Sequence, residues 1–191
     1  IAKELKDSIF IMECYLANGF IYMLAKDFPS AMKNQQTALR IATTINDSDF
    51  IATAYSDMGN TNLRAGNLDA AYQNFTTALN IRKRQKVDLY MSSNLLYISN
   101  ILVKQKKYKE AEAILARIIK QSPNELEALY MQGEIRVKQD RIAEAYGYFE
   151  DLHKKYPDHE DTLRQLAELG HKLKLSDAYL LLRNVENKLQ M

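Results

Sequence analysis

Three histidines, one cysteine and a scatter of carboxylates are the residues of this 191-residue chain that could carry chemistry. The histidines are His153, His159 and His171. No two of them stand four apart on a helical face and none belongs to an HExxH arrangement, so they do not spell a metal-hydrolase site. Asp158-His-Glu-Asp161 gathers potential ligands, but the stretch follows Pro157 at a predicted helix start. Carboxylates are favoured there by the helix dipole without any metal. Cys14 lies in an apolar stretch and is expected to be a small core residue. A single cysteine also excludes a disulfide framework within one chain. No GxGxxG, Walker A, GxSxG or DxDxDG segment occurs, and no pair of carboxylates stands out as acid and base. The expectation is a non-enzymatic protein with no catalytic residues, no metal and no cofactor.

The cations are no more specific. Arg82-Lys-Arg-Gln-Lys86 and Lys104-Gln-Lys-Lys-Tyr-Lys109 read as solvated charges near helix ends. Lys and Arg total 26 against 24 Asp and Glu, with 10 basic and 9 acidic residues through Tyr90, then 16 and 15 after it. Neither half forms a basic arm or an acidic tail, which argues against nucleic acid as a partner. The most apolar run, Ile9 to Ala25, is interrupted by Glu13 and Asn18. It falls short of the roughly 20 apolar residues that a span needs, so a buried helix is expected rather than membrane insertion. Residues 1–25 lack the pattern of a cleavable signal, and the location assigned is cytoplasmic. The chain starts with Ile, which suggests a piece of something longer.

Elements to position such residues follow from composition and period. Apolar residues at 47% and charged residues at 26% indicate a folded chain, while 6 Gly and 3 Pro are too few for an all-β fold. Shifted by 40 positions, Ile1, Ala2, Asp7, Ser8 and Phe10 lie over the same residue types at Ile41, Ala42, Asp47, Ser48 and Phe50. Tyr15, Gly19, Ala38 and Leu39 likewise lie over Tyr55, Gly59, Ala78 and Leu79. Later the spacing contracts to 34, with Ala111, Leu115 and Pro123 over Ala145, Phe149 and Pro157. The chain is a tandem array. Each unit reads as two helices. In the clearest, Ala52, Tyr55, Met58, Gly59 and Leu63 keep helical spacing, Ala65-Gly-Asn67 makes a turn, and Leu68, Ala71, Tyr72, Phe75, Ala78, Leu79 and Ile81 form a broad apolar stripe. One unit cannot bury that stripe alone, so neighbours must stack on it.

These units resemble tetratricopeptide repeats (TPR), whose pattern is aromatic-x2-Leu-Gly-x2-Tyr, then Ala-x3-Phe, then Ala and a late Pro. The first full unit gives Tyr15, Asn18, Gly19, Tyr22, Ala31, Gln35 and Ala38. The second gives Tyr55, Met58, Gly59, Asn62, Ala71, Phe75 and Ala78. Weaker copies follow at Leu95, Ile98, Ser99, Leu102, Ala111, Leu115, Ile118 and Pro123, then at Leu129, Gln132, Gly133, Arg136, Ala145, Phe149, Leu152 and Pro157. The resemblance implies an all-α, right-handed α-α superhelix of about five helix pairs, with residues 1–191 forming one array. Repeats are expected at about 12–45, 52–85, 92–125 and 126–159, with a degenerate or capping pair at 160–190 marked by Leu163, Leu166, Ala167, Ala178, Leu182 and Val185. Residues 1–6 would be the tail of a preceding helix. The 40-residue spacing implies longer helices in the early units, and is similar to TPR segments of bacterial signalling proteins.

TPR proteins hold peptides or partner domains on the wall formed by the first helix of each pair, and the resemblance carries that function here. By TPR register the wall comprises Leu16, Phe20 and Leu24, then Ser56, Asn60 and Arg64, then Leu96, Asn100 and Lys104, then Tyr130, Glu134 and Lys138. The subclass that captures acidic C-termini of heat-shock chaperones would need Lys at Ser56, Asn at Tyr97, and Lys and Arg at Glu127 and Met131. Of its residues only Asn60 is present. Two other readings stand beside the scaffold. One is a sensing segment of a larger sensor kinase or transcription regulator. The other is a self-association module, in which the first helix pair, uncovered at residues such as Ile9 and Met12, pairs with a second copy.

Overall fold

The computed structural model describes residues 2–85 and 91–175, and for Ala2 and Lys3 the backbone alone. Nine α-helices occur there: α1 (Ala2–Leu24), α2 (Phe28–Thr44), α3 (Ser48–Arg64), α4 (Leu68–Gln85), α5 (Met91–Lys104), α6 (Tyr108–Gln121), α7 (Leu126–Lys138), α8 (Ile142–Lys155) and α9 (Glu160–Lys172). No strand is present among the described residues. The fold is all-α, as the repeat pattern requires. A tenth helix, expected around Ala178, Leu182 and Val185, falls outside the described residues.

The chain divides into two compact units, residues 1–107 and residues 108–191. In the first, each helix packs on the next in sequence from α1 to α5, and α1 also reaches α3. In the second, α6 packs on α7, α7 on α8 and α8 on α9. Helix lengths follow the two periods. The second helices of the long units, α2 and α4, have 17 and 18 residues, whereas α6 and α8 have 14 each.

Sequence explains the helix ends. Asp27 Oδ1 accepts from the Ser30 amide at 3.2 Å, and Asp47 Oδ1 from the Asp49 and Phe50 amides at 3.0 and 3.1 Å. Each occupies one or more of the donors that a helix start leaves open. At the other end, Gly66 takes φ +84°. Its amide reaches Leu63 O at 3.2 Å, and Asn67 N reaches back to Asn62 O at 2.8 Å. This pair of bonds is the Schellman closure. The same pair recurs around Lys26, Asn46, Lys106, Asp140 and Lys174, all at positive φ despite having side chains.

Glycine and alanine set the helix crossings. A Cβ at Gly59 would stand 2.9 Å from the Phe75 ring, and one at Gly133 would stand 2.5 Å from the Phe149 ring. Both rings are fully buried, as are Ala31, Ala38, Ala71, Ala78, Ala111 and Ala145. At Gly19 the facing side chain is instead Gln35, whose Cγ would lie 2.8 Å from an added Cβ. Gln35 is buried, and its Oε1 accepts from Thr61 Oγ1 at 2.9 Å across the α2–α3 interface.

Several expectations change. Met12 is fully buried against Ala38 and Ala42 rather than uncovered, and Ile9 is half-buried beside it. Cys14 is exposed, because it lies on the side of α1 away from that cluster. Arg82 is turned inward and buried, not solvated, since Ser56 offers it an acceptor. Residues 2–6 do not form a separate tail: α1 runs unbroken from Ala2. Lys6 stands where Asn46, forty positions on, takes the left-handed conformation that ends a helix, and here the chain stays helical.

Candidate functional site

In the first unit the wall residues lie on α1, α3 and α5. Phe20 and Leu24 are each about half exposed, at 53% and 54%, on the last turns of α1. Leu16 differs: it is half-buried and packs against the Met12–Ala38–Ala42 cluster, so it belongs to the core's edge. Arg64 and Lys104, in the last turns of α3 and α5, are exposed. Cations at those positions also complement the helix dipole. Asn60, Leu96 and Asn100 are half-buried. Neither asparagine amide makes a side-chain hydrogen bond among the described residues.

Ser56 is already engaged. Its Oγ lies 3.0 Å from Ala52 O and 3.2 Å from Asn94 Oδ1, so one proton serves either acceptor. The same oxygen accepts from Arg82 Nη1 at 3.0 Å. Beside this chain of bonds, burial pushes the Asp57 carboxyl up to about 6, with the Arg82 charge drawing it partly back. Asn94 is 2% exposed, and its Nδ2 has no hydrogen-bond partner among the described residues. Together Ser56, Asp57, Arg82 and Asn94 place a group of polar side chains from α3, α4 and α5 side by side. Sequence reading missed this cluster, because Arg82 looked like part of a surface run and Asn94 has no periodic signature. Tyr97, also unassigned, stacks on Phe75 with centroids 4.8 Å apart and rings 12° from parallel, yet stays partly exposed.

In the second unit α7 carries Tyr130, Glu134 and Lys138. Tyr130 is a packing residue. Its ring sits 5.4 Å from both Phe149 and His159, tilted 54° and 77° respectively. Burial first, then the Glu134 and Asp161 charges, push its hydroxyl up to about 12. Glu134 is half-buried and Lys138 exposed. The acidic stretch after Pro157 serves α9: Glu160 and Asp161 occupy its first turn, and His159 Nδ1 meets Thr162 Oγ1 at 2.6 Å. Among the described residues no group of three or more His, Cys, Asp or Glu converges on one point, and no helix is long and apolar enough to cross a membrane.

Comparison with known proteins adds a family and a fold. Family models described as tetratricopeptide repeat match residues 11–84, 93–125 and 127–159. No curated protein sequence matches. Among solved structures, YrrB, described as a TPR protein with an unusual peptide-binding site, is 21% identical with a TM-score of 0.58, over 91% of this chain and 84% of that one. The Rap conjugation gene regulator of plasmid pLS20, solved with the Phr* peptide, is 14% identical with a TM-score of 0.77. The likeness covers 100% of this chain and 56% of the regulator. BtubC from P. vanneervenii is 13% identical with a TM-score of 0.77, over 97% of this chain and 89% of that one. At these identities the likeness concerns the fold.

Proposed function

We propose, from the premise that this chain belongs to the tetratricopeptide repeat family, that it is an interaction scaffold holding an extended segment of a partner protein along α1, α3 and α5. The carrying observation is the pair Asn60 and Asn100. They occupy one register on successive first helices, and their amides make no side-chain hydrogen bond among the described residues. A carboxamide donates and accepts, so it can hold a peptide backbone without demanding one side chain. Phe20 and Leu24 offer an apolar end to that wall, while Arg64 and Lys104 supply cations. A segment with an apolar anchor and acidic residues on one side matches both.

Peptides of that design, fluorescently labelled, provide the test. Asn60→Ala combined with Asn100→Ala is expected to weaken binding by about 0.5–1.5 kcal/mol for each lost hydrogen bond. The thermal midpoint should stay nearly unchanged. A double variant that unfolds more easily and binds normally would make both residues structural and dismiss the wall as the site.

A further inference from the structure

The repeat supplies an internal control for one exposed surface. Phe10 and Ile11 of α1 are the 40-residue counterparts of Phe50 and Ile51 of α3, identical in type. Phe50 and Ile51 pack against a cluster containing Ala38 and Ala42 of α2. Phe10 and Ile11 are 68% and 48% exposed. The contrast continues along the helix. Ala54 is fully buried and its counterpart Cys14 is exposed; Thr61 is 1% exposed and its counterpart Ile21 is 61% exposed. One helix face is therefore present twice, once covered by α2 and once open.

We infer that this open face of α1 is a docking site, separate from the Asn60–Asn100 wall, for an amphipathic helix of a partner protein that carries a stripe of small residues like that of α2. Chemistry sets the choice of occupant. On α3 the bulky pair Phe50 and Ile51 packs against the Met12–Ala38–Ala42 cluster, whose α2 members are both small, which lets two helices approach closely. Pairing α1 with a second copy of itself would set Phe10, Ile11 and Ile21 against one another, bulk on bulk. A small-residue stripe fits them instead. Large apolar faces left in water mark interaction surfaces. Here α1 shows Phe10, Ile11 and Ile21 on one side of the helix.

Cys14, the single cysteine, is a built-in reporter, since it is exposed while its counterpart Ala54 is fully buried. The probe is a synthetic peptide of residues 27–45, which contains α2 and no cysteine. Added to the 191-residue chain, it is expected to slow alkylation of Cys14 saturably, by roughly tenfold at full occupancy, as the thiol loses access to reagent. A peptide with Ala38→Asp and Ala42→Asp should not protect, and the chain with Ile21→Asp should lose protection while keeping its helical circular dichroism. Absence of saturable protection overturns the site. Protection that grows with the chain's own concentration in the absence of peptide, with a dimer in sedimentation, overturns the occupant in favour of a second copy.

Discussion

At the scale of the residue, among the described residues five left-handed turn positions carry side chains where only Gly66 is free of one. For an ordinary residue that conformation costs about 1–2 kcal/mol. Lys106→Gly is therefore expected to raise stability by about 0.5–1 kcal/mol, part of the gain being returned through the looser unfolded chain. Gly66→Ala should lose about 1 kcal/mol although its Cβ would meet nothing within 4 Å, so the loss would be purely conformational. Denaturant midpoints measure both. Asp57 gives a pH dependence of definite sign. Folded, it holds its proton to about 6, whereas its ordinary value is 3.8. The unfolded chain thus releases that proton first as pH rises, and stability falls across this window, reaching its full cost above about pH 6. Asp57→Asn should flatten that fall between pH 4 and 6, by about 3 kcal/mol at most. Unchanged curvature in a pH series of unfolding midpoints would place the carboxylate in water.

At the scale of the element, close helix approach is the recurrent requirement. Ala71 and Ala145, each fully buried, stand at the same slot of two units. Ala71→Leu or Ala145→Leu should cost about 1–3 kcal/mol by overpacking, and a surface-like response at both would mean the slots are misassigned. This level was the most legible in the sequence. Ala and Gly at fixed spacing announce crossings, and the 40-to-34 contraction appears as α2 and α4 outlasting α6 and α8 by three or four residues. What spacing could not give was orientation about the α1 axis. Met12 and Cys14 are two residues apart in an apolar stretch that looked buried on most sides, and only the position of α2 decides which one is covered. Ser56 and Tyr130 were assigned to the wall by register alone. Register does not reveal that Arg82 and Asn94 engage one, or that Phe149 and His159 enclose the other.

At the scale of the whole molecule, stability in a repeat protein is close to a sum of local terms. Gly59 meets Phe75 and Gly133 meets Phe149, so the two sites share no partner. Gly59→Ala and Gly133→Ala should each destabilise by about 1–3 kcal/mol, and the double variant by their sum within about 0.5 kcal/mol. A large departure from additivity in denaturant titrations would show long-range coupling.

Units of one pattern also pose a sorting problem, since any apolar stripe can be satisfied by the wrong neighbour. The buried Gln35–Thr61 bond acts as an address. The aromatic slot of the other long unit holds Phe75, which would leave Thr61 without its acceptor if it took the place of Gln35. A helix stacked out of order strands a buried hydroxyl or amide, at about 1–3 kcal/mol each. Replacing both partners, Gln35→Leu with Thr61→Val, should leave equilibrium stability nearly intact while lowering the yield of native chain after rapid refolding. An unchanged yield would show that the bond carries no ordering information, and the apolar stripes alone would then sort the repeats.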